Sequence, residues 1–575
     1  MRSIGKTKKG KFIIITGIAV LYAAVAVAAS YLLFRSGHYP SGSDAMTDLY
    51  KGDLLYHSIG KGDWYPLYDR FWCNGSEPLR YGGILPAYIL ALCQFLAGGN
   101  NLAAYLVYIG LIFWLGAVIW LYIGVKRKRI MLGAFLGMLW FFMPVNLHVL
   151  FVDGNLPEAF AAALLPLLIH YVCEYMFDNR WQAACKIIPV YCIILVCGMD
   201  YACIVFLAVL VFLLVCRVAA GQRGRCLPLA GSFLAAFLIM GIWLYAMIRG
   251  NYQMTVGADD LKMFFQSINS SFNPFYRLSM GNVQTYLGLA ACLLAVFGLL
   301  FSDKNGRACF VTGLLFLISS LSFMYVVFSN LPEGVLTCML RYASAALCLV
   351  LFGFMLWKKL RRWILVAFCL LLVADAVPSL GLLYPGAGQM TAGDHLERLA
   401  EDELIEDARE LTTQRVMVLD GSGSAGRTQY LLSGYQNQRI ESACSSGAKY
   451  STVSGNIAML DEAVTQGYYS YLFDRCLELG NDSVLIKITQ LENAEEDVPK
   501  LTRAAELLGY ELVKSNTSYL LYHIDTKGTF GTTCQYNGIG IGTSAPLWAL
   551  SEPDMEEGAS TNLNDYSYEQ LSRYK

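Results

Sequence analysis

Long apolar runs, separated by short polar or basic segments, dominate the first two thirds of the sequence. The first run, residues 12–34, would extend about 34 Å as a helix and is therefore long enough to cross a bilayer. It is longer than the apolar part of a signal peptide, so it predicts an uncleaved first span with a cytoplasmic N-terminus. Further spans are predicted at 102–125, 130–150, 158–177, 187–198, 201–217, 228–248, 285–301, 308–328, 338–357 and 363–384.

The apolar segment 84–97 decides the topology. If it spans the membrane, the cluster Lys126–Arg129 lies outside, against the preference of basic residues for the cytoplasmic side. If it lies in the outer interface instead, the basic loops are all cytoplasmic, namely 126–129, 180–186, 217–225, 304–307 and 358–362. We therefore predict eleven spans, with the loop 35–83 and everything after residue 384 on the outside. The break at Gly198 predicts a broken pair of helices, because irregular backbone at depth requires protein or water around it.

Composition supports a polytopic α-helical membrane protein. Of the 575 residues, 56% are hydrophobic and 15% are charged, whereas soluble domains have about 25% charged residues. The sequence has no basic face with interleaved aromatic residues, which argues against nucleic-acid binding. Most of the 17 cysteines lie in apolar runs, where cysteine behaves as a small hydrophobic residue.

The chain divides into a membrane domain, residues 1–384, and an acidic C-terminal part. Residues 385–530 predict an extracytoplasmic α/β domain, with helices at 394–412 and 501–508 and strands at 415–420, 484–488, 511–513 and 519–523. Residues 531–575 have the pattern of a further α/β unit that the chain truncates. Cys444 and Cys476 could pair or remain free thiols, and the sequence leaves both alternatives open.

A GxGxxG sequence, Gly421–Gly426, follows the strand at 415–420, and Glu441 lies twenty residues after its first glycine. Such a pattern can bind a dinucleotide at a helix N-terminus. We favour a glycine-rich turn, because the next strand comes too soon for a complete βαβ unit. No nucleotide cofactor is expected.

The first outer loop carries the strongest candidates for chemistry. Asp44 and Asp48 are four residues apart, so in a helix they share one face. A carboxylate pair can act as a general base or hold a divalent cation such as Mg²⁺ or Mn²⁺. A solvated acidic loop is the structural alternative. His57 and Arg80 in the same loop are candidates for lining a substrate cavity.

Several segments together resemble one family. GDWYPLYDRFWCNGSEPLRYGG, FVDGNLPEAFAAALLPLLIHY, SSFNPF and LPEGVLTCMLRY are similar to the bacterial membrane proteins named 6-pyruvoyl-tetrahydropterin synthase-related. The resemblance covers nearly the whole chain, and it implies a multi-pass protein of the bacterial plasma membrane. The first half more distantly resembles C-type (GT-C) membrane glycosyltransferases.

The GT-C resemblance implies transfer of a sugar from a polyprenyl-phosphate donor to an envelope glycan or lipid acceptor on the outer face. It implies that Asp44, with Asp48, activates the acceptor or holds metal, and that Arg341 binds the donor phosphate. An interfacial arginine that only reaches toward headgroups is the alternative for Arg341. Glu158 lies at a predicted helix start, where capping competes with substrate contact, and Asp200 stands where relatives show histidine.

Three functional classes remain. The first is an outer-face glycosyltransferase of the cell envelope. The second is a non-catalytic scaffold or glycan-binding protein, whose site would be the C-terminal domain. The third is an exporter of lipid or polysaccharide, which would need ionisable residues deep in several spans, where only Asp200 and Asp375 qualify.

Overall fold

The computed structural model describes residues 8–36, 45–72, 75, 77–80, 82–220, 226–249, 288–320, 339–382, 404–419, 425–435, 439–444 and 454–525. The chain divides into two compact units. The helical unit comprises Met1–Asp48 and Gly82–Thr391, and the sheet unit comprises Leu49–Tyr81 and Ala392–Lys575. Most of the first outer loop therefore belongs with the C-terminal residues.

The helical unit is built from apolar helices. Before the gap at 250–287 they are α1 (Lys8–Ser36), α2 (Ala45–Gly60, which continues into the sheet unit), α3 (Ile84–Leu96), α4 (Asn101–Lys126), α5 (Ile130–Phe142), α6 (Pro144–His148), α7 (Leu156–Asp178), α8 (Gln182–Cys197), α9 (Met199–Ala220), α10 (Cys226–Ile239) and α11 (Gly241–Arg249). After it come α12 (Leu289–Phe301), α13 (Lys304–Ser319), α14 (Met339–Leu356) and α15 (Arg362–Ala376). A π-helical turn, Val149–Asp153, joins α6 to α7.

Among the described residues, five helices are long and apolar enough to cross a membrane: Phe12–Leu33, Asn101–Lys126, Ile130–Phe151, Leu156–Asp178 and Met199–Val218. A sixth would be the pair α10 and α11, which is bent by 61° where a continuous span was expected at 228–248. Shorter apolar helices include Ile84–Leu96 and Gln182–Cys197. The protein is thus helical with several apolar spans, while the expected spans 285–301, 308–328 and 338–357 extend into residues outside the described ranges.

Side-chain contacts fix the direction of the central helices. Arg127 donates to Asp178 at 2.6 Å, which joins the ends of α4 and α7, and Tyr108 donates to the Leu156 carbonyl near their starts. Arg129 donates to carbonyls at the end of α14, including those of Phe354 and Trp357. The helices α4, α7 and α14 are therefore parallel. We call the end where they finish the basic end, after Lys126–Arg129.

The opposite end, where these helices begin, also holds the start of α9. The Tyr191 hydroxyl of α8 donates to the Ala202 carbonyl of α9, so these helices form a hairpin across the extended Gly198. Tyr201 and Ser344 then hydrogen-bond at 3.0 Å, which joins the first turns of α9 and α14. We call this end the acidic end, because Asp48, Glu158 and Asp200 lie in the first turns of α2, α7 and α9.

Two glycines allow α4 and α5 to approach closely. A Cβ added at Gly133 would lie 2.6 Å from the Gly124 Cα and 2.7 Å from the Trp120 carbonyl oxygen. These obstacles are backbone atoms, so they cannot rotate away. Small residues at helix contacts are a common packing device in membranes.

We expect Gly133→Val to destabilise the helical unit by roughly 1–3 kcal/mol or more, the usual cost of overpacking. Thermal unfolding in detergent measures the effect. Gly231→Val in α10 is the matched control, because a Cβ there would meet nothing within 4 Å. Equal melting temperatures for the two variants would contradict the close packing of α4 and α5.

The sheet unit contains a five-stranded sheet in the order β2-β1-β3-β5-β4. The strands are β1 (Arg415–Leu419), β2 (Glu441–Cys444), β3 (Ser483–Lys487), β4 (Glu511–Ser515) and β5 (Tyr519–His523). The first three are parallel, whereas β5 is antiparallel to both β3 and β4. The helices are α16 (Ile405–Leu411), α17 (Ala425–Ser433), α18 (Ser454–Gln466), α19 (Tyr469–Glu478) and α20 (Ala494–Leu507).

A buried apolar core supports this sheet. Met417, Val484 and Leu520 contribute from three strands, and Leu472 and Leu501 contribute from α19 and α20. The strands expected at 415–420, 484–488, 511–513 and 519–523 lie within one or two residues of those observed. No bounds were predicted for strand β2, because Glu-Ser-Ala-Cys has no β-branched or aromatic residue. The expected helix at 394–412 is described only from residue 404, and residues 531–575 lie outside the described residues.

Candidate functional site

Asp48 lies in the first turn of α2 and is buried, with 7% of its surface exposed. Gly83, at the start of α3, has a φ of +68°, which favours glycine. A Cβ built there would lie 3.1 Å from the Pro157 Cγ and 3.9 Å from the Asp48 Oδ1. The fold therefore brings the Asp48 carboxylate to the start of α7. Asp44, the other predicted carboxylate, lies outside the described residues.

The start of α7 is an irregular segment with buried polar groups. The Asn155 side chain accepts a hydrogen bond from the Glu158 amide at 2.9 Å and caps the helix. Glu158 itself is 6% exposed and lies in the first helical turn. Across the preceding π-helical turn, Nδ1 of His148 at the end of α6 lies 3.5 Å from an Asp153 carboxylate oxygen. Such π-helical turns frequently occur at functional sites.

Asp200 and Arg341 begin neighbouring helices. Asp200 lies in the first turn of α9, and the Tyr201–Ser344 hydrogen bond joins that turn to α14. Arg341 is the third residue of α14, so its backbone lies at the acidic end. Its side chain lies outside the described positions. The acidic end thus collects Asp48, Glu158, Asp200 and the backbone of Arg341.

Asp375 at the end of α15 belongs to the same end of the unit. Its Oδ2 accepts a hydrogen bond from the Ala291 amide at 3.1 Å and so caps the start of α12. A buried carboxylate is stabilised at such a position by the helix dipole. Sequence reasoning found Asp375 but not this partner, because α12 lies 84 residues earlier in the chain.

The electrostatics of this end combine carboxylates with helix starts. Amide groups at a helix N-terminus favour anions, so a phosphate and a carboxylate can compete for the same positions. Carboxylate oxygens suit Mg²⁺ or Mn²⁺. Within the described ranges, however, no three His, Cys, Asp or Glu side chains group as a metal-ligand set, and Asp44 is not among the residues that this covers.

His57 and Arg80 have local partners inside the sheet unit. The His57 ring stacks on Tyr435 with centroids 4.1 Å apart, and its Nε2 lies 3.4 Å from Asp53. Arg80 pairs with Glu77. These contacts fix both side chains within the segment Leu49–Tyr81 and the C-terminal residues.

Contacts around the Arg439 guanidinium join this segment to the C-terminal residues. Arg439 lies 3.2 Å from the Asp69 carboxylate and 4.0 Å from the ring centroids of Phe71 and Tyr435. Tyr50 donates to Asp69 and accepts from Arg439. Burial, followed by the neighbouring Asp69 charge, raises the pKa of Tyr50 well above its ordinary value, so its hydroxyl stays protonated and donates.

The same segment covers an edge of the sheet. The Phe71 carbonyl accepts hydrogen bonds from the Ser442 amide at 3.1 Å and from the Ser433 hydroxyl at 2.8 Å. Strand β2 is an edge strand, and an uncovered edge invites pairing with other chains. Neither Arg439 nor Phe71 was a sequence candidate, since they are 368 positions apart and no local motif links them.

The GxGxxG segment begins after β1 and ends in α17, and its residues 421–424 lie outside the described ranges. Strands β1 and β2 are parallel and α17 lies between them, so the expectation that the next strand comes too soon for a βαβ unit was wrong. Glu441, however, begins β2 opposite Arg415, whereas the glycine segment follows the other end of β1. Glu441 pairs with Arg70 at 3.2 Å and Arg415 at 2.9 Å.

A family model described as the 6-pyruvoyl-tetrahydropterin synthase related domain, a membrane protein, matches residues 79–383. The chain belongs to this family. A second model, a domain of unknown function (DUF8559), matches residues 400–535. No curated protein matches the chain.

Solved structures resemble this family member at low identity. The arabinofuranosyltransferase AftD from Mycobacteria is 14% identical with a TM-score of 0.48, over 89% of this chain and 40% of AftD. ArnT from Cupriavidus metallidurans is 12% identical with a TM-score of 0.49, over 89% of this chain and 99% of ArnT. The oligosaccharyltransferase AglB from Archaeoglobus fulgidus is 13% identical with a TM-score of 0.46, over 83% of this chain and 70% of AglB. This chain thus spans two fifths of the AftD structure that it matches.

Proposed function

We propose that the protein is a GT-C-like glycosyltransferase of the bacterial plasma membrane. It transfers a sugar from a polyprenyl-phosphate donor to an envelope glycan or lipid on the outer face. The observation that carries the proposal is the meeting of Asp48, Glu158, Asp200 and the start of α14, which bears Arg341, at one end of the helical unit. The sequence resemblance implies roles for Asp48 and Arg341, and Glu158 and Asp200 were predicted to line a substrate cavity.

The reaction needs two opposite kinds of group. A carboxylate is needed to accept the proton of the attacking hydroxyl, and a cation is needed to stabilise the negative charge that grows on the departing phosphate. In this proposal Asp44 and Asp48 supply the carboxylates and Arg341 supplies the cation. Buried Asp48 is well suited to its task, because water is largely excluded around it.

Asp44 and Asp48 are also the proposed holders of a divalent cation. Mg²⁺ is commonly bound by one or two carboxylates together with substrate phosphates, so two aspartates would suffice. When bound, such an ion supplies positive charge beside the phosphate. Glu158 and Asp200 line the proposed substrate cavity, where their carboxylates can accept hydrogen bonds from sugar hydroxyls.

The proposed orientation puts the acidic end outside. The basic end carries the cluster Lys126–Arg129 and the segment Lys358–Arg362, and basic residues near span ends favour the cytoplasm.

Cysteine labelling tests this orientation. Lys128 is exposed at the basic end, and we expect Lys128→Cys, in a cysteine-free background, to react with an impermeant maleimide only after the membrane is opened. Leu507, which is 78% exposed in the sheet unit, is the matched position, and Leu507→Cys should react in intact cells. Labelling of Lys128→Cys from outside would place the proposed site on the wrong face.

The enzymatic proposal is tested with Asp48→Asn, which keeps size and polarity but loses the charge. We expect turnover of a polyprenyl-phosphate sugar by the purified variant to fall by roughly 10²-fold or more, the usual contribution of a general base. Asp178→Asn is the matched control. It makes the same change at the basic end, where Asp178 pairs with Arg127 and is half exposed. Unchanged turnover in Asp48→Asn would remove this carboxylate from the reaction.

A non-catalytic glycan-binding protein is the second candidate. It is supported by a polar cleft of about 550 Å³ in the sheet unit, lined by Tyr469, Glu492, Asp497, Lys500 and Arg503 among others. Side chains of both charges beside a tyrosine suit a polyhydroxylated ligand. Glycan binding that depends on Lys500 and Arg503, with no turnover of any polyprenyl-phosphate sugar, would favour this candidate.

A further inference from the structure

The basic end of the helical unit contains an open apolar groove between α12 and α15. Its volume is about 570 Å³, within the usual range of ligand pockets. Phe297, Phe301, Trp363 and Phe368 contribute aromatic walls. Three of these rings are substantially exposed, with Phe301 at 64% and Trp363 at 66%, so the groove is accessible from its surroundings.

Cations line one end of this otherwise apolar groove. Lys359 and Arg361 belong to its lining and are exposed. Lys359 Nζ lies 3.9 Å from an Asp303 carboxylate oxygen, at the outer limit of an ion pair. Lys359 and Arg361 together outweigh this one carboxylate, so the end of the groove keeps a net positive charge.

The start of α15 adds a second source of positive potential. Arg361 occupies the N-cap position, and the first turn of α15 contains no acidic residue. Its unpaired amides and dipole therefore favour an anion beside Arg361. This start differs from those of α7 and α9, whose first turns carry Glu158 and Asp200.

We propose that this groove binds an anionic phospholipid, with one acyl chain along the aromatic walls and the phosphate at Lys359 and Arg361. The surrounding hydrocarbon is as apolar as the groove, so burial of the chain alone gives little preference. Selectivity comes from the cations. Basic pockets between membrane helices at the cytoplasmic side are suited to anionic headgroups. The site lies at the end of the unit opposite the proposed reaction, and only its cytoplasmic location rests on the orientation proposed above.

The test is native mass spectrometry of the purified full-length protein titrated with phosphatidylglycerol or phosphatidylcholine. We expect the wild-type protein to bind phosphatidylglycerol more tightly. The double variant Lys359→Gln/Arg361→Gln should weaken phosphatidylglycerol binding by about fivefold per cation, and about 25-fold together. Lys358→Gln/Arg362→Gln is the matched control, since it removes the same charge from exposed neighbours that do not line the groove.

A steric pair tests the acyl-chain part of the site. Ala367 lines the groove, and Ala367→Trp should fill it and reduce retention of the phospholipid while leaving both cations in place. Val366→Trp is the control, because Val366 is 53% exposed and lies outside the lining. Equal affinity of the wild type for the two lipids would overturn the proposal. So would equal losses in the two charge variants, which would show a diffuse basic surface.

Discussion

Replacing Arg341 with alanine is expected to lower turnover of a polyprenyl-phosphate sugar by roughly 10²–10³-fold. Negative charge grows on the departing phosphate during the transfer, so a fixed cation binds the transition state more strongly than the ground state. Arg341→Lys should retain part of the activity, because lysine keeps the charge but loses the planar two-pronged geometry. The measurement is the initial rate of the purified wild-type, Arg341→Lys and Arg341→Ala proteins in nanodiscs.

The matched control is Arg180→Ala at the basic end, where Arg180 is 63% exposed and pairs with Glu174. It should leave turnover unchanged. An arginine that only reaches toward headgroups predicts that lysine serves as well as arginine. Equal rates with arginine, lysine and alanine at position 341 would exclude the residue from the site.

Asp44→Asn is expected to be the second severe change, with turnover reduced by roughly 10²–10⁴-fold. Asparagine preserves the size and polarity of the side chain but cannot accept the proton of an acceptor hydroxyl or neutralise a bound cation. Asp44 directly precedes α2 and lies four positions before buried Asp48. The measurement is again the initial rate, together with the amount of protein inserted in the membrane.

Asp63→Asn is the control for Asp44, because Asp63 lies later in the same loop and its carboxylate accepts a hydrogen bond from the nearby Tyr65 amide. Its turnover should match that of the wild type. If Asp44→Asn and Asp63→Asn behave alike, the loop carboxylate has no part in the reaction and the scaffold alternative gains support.

Apolar runs predicted most of the described helices, because burial in hydrocarbon demands a continuous helix. The runs at 102–125, 130–150 and 158–177 correspond to α4, α5 with its irregular continuation, and α7. The 61° bend in 228–248 was not predicted. Composition gives no sign of it, because Met240 and Gly241 continue the apolar run.

The sequence predicted candidate site residues but not that they lie at the same end of the helical unit. Asp48, Glu158 and Asp200 were chosen for charge and position near predicted span ends. Their common location follows only from the parallel course of α4, α7 and α14 and from the hairpin of α8 and α9. Those directions depend on contacts between residues far apart in the chain.

The sequence also did not predict that most of the first loop belongs to the sheet unit. The segment Leu49–Tyr81 groups with the sheet through Arg439, Asp69 and Phe71. Two of its residues, His57 and Arg80, had been predicted to line a substrate cavity. Cation–aromatic contacts and backbone pairing at a sheet edge leave no periodic signal in the sequence.

The most direct test of the central claim is a cryo-EM structure of the full-length protein with polyprenyl phosphate. The glycosyltransferase proposal predicts phosphate density at the acidic end, with oxygens about 2.7–3.2 Å from the Arg341 guanidinium and the lipid chain leaving toward the hydrocarbon. Phosphate density only at the basic end, beside Lys359 and Arg361, would contradict it.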